Sequence, residues 1–244
     1  MKHPFNPIER AREVEKIVMR KDERKYYRFR FATYYGGIVT ADAVGCCFLC
    51  AYCWNYFKNL RPENFGEFFF PEKVVGKMGE IAKRKNITRF RISGAEPILG
   101  KDSFFHLLKV IELIREKFRN FEFIIETNGL ILGYYSELIK ELERFKDFIF
   151  VRISIKGWDE SSFERISGAN GEYFIYPIKA LKELKKAKIV AWSAVMLEVF
   201  GNEGIRRLRK RLIKEEISGE IEVEYLEKYP FVEENLRKRG LIVI

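Results

Sequence analysis

Gly45-Cys46-Cys47-Phe48-Leu49-Cys50-Ala51-Tyr52-Cys53-Trp54 holds all four cysteines of the chain. Cys46, Cys50 and Cys53 stand four and then three positions apart. A tight loop with that spacing points three thiolates at one centre, enough for three corners of a four-iron four-sulfur cluster. The fourth iron then has no protein ligand and is open to another molecule. Clustered cysteines also serve as zinc ligands or as inert core. A structural zinc site needs four ligands, however, and neighbours such as Cys46 and Cys47 cannot readily turn both sulfurs to one ion. His3 and His106 have no metal-ligand spacing to the cysteines. Cys47 is read as a structural neighbour of the loop, because a fourth protein ligand would close the open iron.

Working outward, apolar strands alternate with amphipathic helices. Ile8, Ala11, Val14, Ile17 and Val18 recur at helical spacing in a helix over 7–20. Tyr27-Arg28-Phe29-Arg30-Phe31 alternates aromatic and basic side chains, a pattern open to a nucleic-acid platform but read as a half-buried strand, which has the same period of two. Gly36-Gly37 precedes a first core strand near 38–44, and the cysteine loop follows directly. Strands are then predicted at 89–93, 121–126, 148–156, 189–196 and 221–226. The intervening helices are predicted at 71–85, 103–117 (capped by Asp102 or Ser103), 135–145, 160–166 with 173–186, and 203–215, with a last one at 231–239. Such alternation implies a parallel sheet with right-handed crossovers, either an open doubly wound sheet or a partial barrel.

In both architectures the reactive groups gather at the carboxyl ends of strands. Cys46, Gly94 with Glu96, Glu126 to Gly129, and Lys156 all fall at such ends. Along the fourth core strand Arg152, Ser154 and Lys156 share one face and Val151, Ile153 and Ile155 the other. Inside a barrel, buried cations on the polar face require a carboxylate partner, which a ligand would supply. Glu222 and Glu224 alternate along the sixth strand and are candidates to pair with lumen cations.

The chain has 244 residues, 47% of them hydrophobic, enough for one large core. It contains no run of eighteen apolar residues, and Met1-Lys2-His3-Pro4-Phe5 lacks a signal-peptide core. Thiols concentrated in one loop are ligands in a reducing compartment, so a cytoplasmic protein without a membrane partner is expected. The net charge of +10 fits an acidic partner such as nucleic acid, a phosphorylated substrate or an electron carrier. It fits equally the ion-pair-rich surface of a thermophilic protein. The run Arg206-Arg207-Leu208-Arg209-Lys210-Arg211 is read as a solvated helix face.

The CxxxCxxC spacing, with Tyr52 before its last cysteine, resembles the cluster loop of the radical S-adenosylmethionine (radical SAM) superfamily. Three further segments occur in that family's order. Ser93-Gly94-Ala95-Glu96-Pro97 is similar to its Gly-Gly-Glu segment, with Ala95 in place of the second glycine. Glu126-Thr127-Asn128-Gly129 is similar to the turn after its third strand, and Arg152-Ile153-Ser154-Ile155-Lys156-Gly157 to its fourth strand. The resemblance spans about residues 36–230.

The resemblance implies an α/β fold, a partial (β/α)6 TIM-type barrel at 36–244 preceded by an N-terminal helix and strand extension at 1–35. It implies a cluster on Cys46, Cys50 and Cys53, and S-adenosylmethionine chelating the open iron. Gly94 and Ala95 would lie along its methionine moiety, with Glu96 accepting from the ammonium. Ser154 and Lys156 would reach the carboxylate or ribose, Glu126, Thr127 and Asn128 the ribose side, and Tyr52 and Met196 the adenine. Arg152 completes the polar face. Reductive cleavage would give a 5′-deoxyadenosyl radical that abstracts hydrogen from a substrate, with reduced ferredoxin or flavodoxin as donor. The compact chain also resembles activases of glycyl radical enzymes, which implies a protein or anionic partner at the barrel mouth. A noncatalytic iron-sulfur or electron-transfer protein is the alternative of another class, although a carrier has no need of Glu96, Asn128 and Lys156.

Overall fold

The computed structural model describes residues 3–241; the outermost residues of the two expected segments, 1–2 and 242–244, lie outside it. The chain opens with helix α1 (Pro7–Val18) and hairpin strands β1 (Met19–Arg20) and β2 (Glu23–Ala32). Strand β3 (Ile38–Ala43) is buried along its whole length and leads into the cysteine loop. Short helix α2 (Tyr56–Leu60), strand β4 (Glu67–Phe69) and helix α3 (Pro71–Lys85) follow. Next come β5 (Arg89–Ser93), α4 (Lys101–Lys117), β6 (Glu122–Thr127), α5 (Leu130–Tyr134), α6 (Ile139–Leu142) and β7 (Ile149–Ser154). The chain continues through α7 (Glu160–Ser167), α8 (Ile175–Lys186), β8 (Ala191–Met196), α9 (Leu197–Lys214), β9 (Ile221–Glu224) and α10 (Pro230–Lys238).

One sheet runs β1-β2-β3-β5-β6-β7-β8-β9, with β4 on β2. The pairings from β3 to β9 are all parallel, and those of β1, β2 and β4 antiparallel. Six parallel strands in chain order, with helices between them, form the expected partial barrel. Among the described residues β9 pairs only with β8, so the barrel stays open on that side. The expected N-terminal segment is bonded into the same sheet, β2 lying against β3 from Tyr26↔Ala43 to Ala32↔Ile38.

Past a bulge between Tyr26 and Arg28, period-two alternation explains β2. Arg28 and Arg30 turn toward Asp42 of β3, at 2.6 and 2.7 Å. Phe29 and Phe31 turn the other way and lie under Lys77 and Lys85 of α3. These aromatics are thus committed to packing between the sheet and a helix.

Some boundaries differ from the periodicity, each for a local reason. α4 begins at Lys101 with Gly100 as N-cap, because Glu15 of α1 supplies the capping acceptor. Its Oε1 takes the Ser103 N–H at 2.9 Å and the Ser103 hydroxyl at 2.6 Å. The segment predicted as a helix over 135–145 is broken into α6 flanked by 3-10 turns. α9 starts at Leu197, six residues before its predicted start, and is interrupted at Gly201, whose φ of 56° with ψ of 175° no helix contains. Its basic run is paired on the surface, Arg206 with Glu203 and Arg207 with Asp159.

Candidate functional site

The turns after β3, β5 and β6 meet at the carboxyl edge of the sheet, and two glycines permit it. Gly45 has φ +92°, and a Cβ there would stand 2.6 Å from Val14 of α1. Gly94 has φ +80°, where a Cβ would meet the Asp42 Cβ at 3.0 Å. With both loops so close, Glu96 N donates to Gly45 O at 3.1 Å, and Arg24 of β2 donates to Glu96 O at 2.6 Å.

A cavity of about 240 Å³ opens over this junction, and its walls include every residue singled out above for a ligand or cofactor role. Cys46, Cys50 and Cys53 line it; Cys47 does not. Cys47 is fully buried and accepts from Asn128 Nδ2 at 3.1 Å. Among the described residues, no three His, Cys, Asp or Glu side chains converge on a point as a single metal ion requires. The three lining thiols surround a volume, and a four-iron four-sulfur cube is a body rather than a point.

The thiols differ in their surroundings. Cys46 is lowered by the hydrogen bond it shares with the Cys47 thiol, helped by Phe48 N–H at 3.4 Å. Burial pushes Cys50 up to about 12 and Cys53 up to about 11. Iron binds cysteine as the thiolate, so loading displaces those protons. The residues present therefore fit an iron-sulfur cluster: three thiols on one cavity, N–H donors at two of them, and the fourth thiol turned away.

Glu96 is 3% exposed and held from three sides. Its Oε1 accepts from Thr127 Oγ1 at 2.6 Å and Ile98 N at 3.1 Å, and its Oε2 accepts from Asn128 N at 2.8 Å. Burial, then the charge of Cys46, raises its carboxyl to about 8 against these donors. Lys156 stands 5.2 Å from the centre of the Tyr52 ring; its burial favours the neutral form, but Tyr52, Cys50 and Glu224 outweigh that and raise it.

Three predicted residues carry protein partners; the lumen glutamates expected from the sequence are those of Arg152, while the partners of Glu126 and Asn128 were not marked in it. Arg152 bonds Glu222 Oε1 through Nε at 3.1 Å and Ser154 Oγ through Nη1 at 3.0 Å, and lies 3.0 Å from Glu224. The glutamates of β9, not a ligand alone, thus neutralise it. Glu126 pairs with Arg91 at 2.5 Å and accepts from the Tyr35 hydroxyl at 3.2 Å. Asn128 spends its amide on Cys47 and its Oδ1 on Leu130 N. Asp42 and Asn59, also near this junction, had no motif or periodicity to mark them.

A second cavity of about 530 Å³ adjoins the first and shares seven lining residues with it, Tyr34, Ser93, Glu126 and Glu224 among them. It lies on the open side, between Arg28 and Arg30 of β2 and Glu222 and Glu224 of β9.

The chain matches no curated protein sequence. In structure it is similar to native anSMEcpe with bound AdoMet and Cp18Cys peptide, at TM-score 0.56 and 18% identity over 77% of this chain and 52% of that one. It is also similar to a spore photoproduct lyase variant with bound AdoMet and dinucleoside spore photoproduct, at TM-score 0.61 and 13% identity over 87% and 63%. The chain thus spans about half to two thirds of these proteins, and at such identities the likeness is one of fold. The Radical SAM superfamily model matches residues 42–217. With that match over most of its length, and with a 4Fe-4S cluster and S-adenosylmethionine as its cofactors, the chain belongs to the radical SAM superfamily.

Proposed function

We propose that this radical SAM enzyme holds its cluster on Cys46, Cys50 and Cys53 and receives S-adenosylmethionine in the cavity of about 240 Å³ above them. The observation that carries the reading is the opening of three thiols, Glu96 and Lys156 onto one cavity. When bound, the cofactors would supply a one-electron relay and a reductively cleavable sulfonium, the chemistry that yields methionine and a 5′-deoxyadenosyl radical able to take hydrogen from a substrate.

The residues divide the work by charge. A carboxylate has about four acceptor sites, and Glu96 uses three, which leaves Oε2 able to take one donor from a methionyl ammonium. An incoming cation also relieves the burial that raises Glu96. Lys156 offers the opposite charge to the methionyl carboxylate, and Tyr52 and Met196 give apolar surface on the adenine side. Gly94 and Ala95 line the methionine path; Thr127 and Asn128 hold Glu96 in place and face the ribose side with Glu126. Ser154 and Arg152 continue that polar wall.

The adjoining cavity is the substrate chamber, with walls of opposite surplus charge. Arg28 and Arg30 share the single carboxylate of Asp42, and Glu222 and Glu224 share the single guanidinium of Arg152. That arrangement suits a substrate with an anionic group toward β2 and a cationic or hydrogen-donating group toward β9. The exposed rings of Tyr34, Trp54, Tyr225 and Tyr229 border the opening, and they favour as a second reading a protein partner of the activase kind docking at the mouth. An external reductant such as ferredoxin or flavodoxin, in the cytoplasm, would supply the electron; no described helix is long and apolar enough to cross a membrane.

Anaerobic reconstitution with iron and sulfide, then dithionite with S-adenosylmethionine, tests the assignment. 5′-Deoxyadenosine should accumulate. Its absence with an intact cluster would favour a noncatalytic iron-sulfur protein.

A further inference from the structure

Asn59, on α2, is 3% exposed, yet among the described residues its side-chain Oδ1 meets no hydrogen-bond partner. A buried oxygen left unmet is destabilising, a cost that an apolar side chain of similar size avoids. Its Nδ2 is differently placed and donates to Cys53 Sγ at 3.5 Å. The backbone is fixed from both sides: Asn59 N donates to Asn55 O at 3.0 Å, and Arg10 of α1 donates to Asn59 O. Asn59 also lines the cavity onto which the thiols open. A residue kept polar at a cost, held rigidly, and directed by its one side-chain hydrogen bond at a sulfur is placed for that sulfur.

The three thiols are unequally served. Cys46 Sγ accepts from Phe48 N at 3.4 Å and from Asn128 Nδ2 at 3.9 Å. Cys53 Sγ accepts from the Asn55 backbone N–H and from Asn59 Nδ2, its one side-chain donor, and among the described residues no hydrogen bond reaches Cys50 Sγ. Donors to ligand sulfur are one of the levers that set the potential of an iron-sulfur cluster.

We propose that Asn59 is a potential-setting residue: its N–H···S bond to Cys53 stabilises the reduced cluster more than the oxidised one and so raises the reduction potential. The proposal rests on Cys53 being a cluster ligand. Reduction adds one electron and changes no bond or proton at Cys53. The added negative charge is shared with the ligand sulfurs, and in a buried site of low dielectric a fixed N–H dipole stabilises it with little screening. Asn59 acts through Cys53 and is a positioning residue.

EPR-monitored redox titration of the reconstituted protein, without S-adenosylmethionine, tests this in Asn59→Leu and Asn59→Asp. Leucine removes the donor; aspartate keeps the shape and replaces the donor with an acceptor. Both variants should keep wild-type iron content and be about tenfold harder to reduce, which for one electron is about 59 mV. An unchanged potential in either iron-replete variant overturns the proposal. Loss of iron in both also overturns it, by making Asn59 a support of the loop instead of a modulator. Cys53→Ala is the separate arm: full iron content there would refute the ligand assignment itself, whatever the Asn59 variants show.

Discussion

The side-chain amide of Asn128 donates to the Cys47 sulfur at 3.1 Å, although the two residues lie 81 positions apart. The contact turns Cys47 away from the cavity that Cys46, Cys50 and Cys53 line. It also ties the cysteine loop to the turn after β6, whose Asn128 N–H holds Glu96.

The pair predicts unequal roles for neighbouring cysteines. Cys47→Ala should retain the iron and sulfide content of the wild type, while Cys50→Ala should lose most of it. Iron and acid-labile sulfide per chain after anaerobic reconstitution check this, and equal contents in the two variants would contradict the ligand assignment.

Glu96→Gln keeps the shape and removes the charge. Hydrogen bonds to a charged group contribute about 1.5–3 kcal/mol, so affinity for S-adenosylmethionine should fall about ten- to hundredfold. Iron content should stay unchanged, since Glu96 is not a thiol ligand. Equilibrium binding to the reconstituted protein measures it; wild-type affinity in the variant would remove Glu96 from the cofactor site.

Asp42 is fully buried between the guanidinium groups of Arg28 and Arg30. Asp42→Asn leaves two cations facing each other without a counter-ion. Breaking a buried pair costs about 3–5 kcal/mol, and the partial exposure of both arginines brings the expected loss to about 2 kcal/mol. Denaturant unfolding of wild type and variant should show a lower midpoint with an unchanged slope.

His106 provides a pH dependence far from the cysteines. Its Nδ1–H donates to Asp22 O at 2.8 Å, so Nε2 accepts the Tyr26 hydroxyl at 3.0 Å, and the buried ring is neutral. Burial lowers it from 6.5 to about 4. Between those values the unfolded chain binds more protons than the folded one, so this contribution is complete above pH 6.5 and is lost as pH falls toward 4. The loss approaches about 3 kcal/mol. Unfolding of wild type and His106→Gln at pH 7.5 and pH 4.5 should show a smaller acid loss in the variant; parallel losses would exclude His106 as the source.

Local patterns located the site because period and spacing are local properties. The strand at Arg89–Ser93 and the turn at Glu126–Gly129 could be placed from apolar alternation, and motifs at strand ends converge once the strands are parallel. The cap of α4 could not be placed that way, since its acceptor comes from Glu15 on another helix. Nor could the break in α9, where Gly201 takes a positive φ inside an otherwise continuous helical pattern.

From residue order alone came the cysteine spacing, the six strand-helix units and the polar face of Arg152, Ser154 and Lys156. What satisfies that face was decided by the tertiary structure. Arg152 meets Glu222, 70 residues later, only because β7, β8 and β9 lie side by side in a particular register. A polar face of period two looks the same in sequence whether its counter-charge is a ligand, water or a distant strand. The same holds for Asn59: nothing in its neighbours along the chain marks it, and only the packing of α2 against the cysteine loop brings its amide to sulfur.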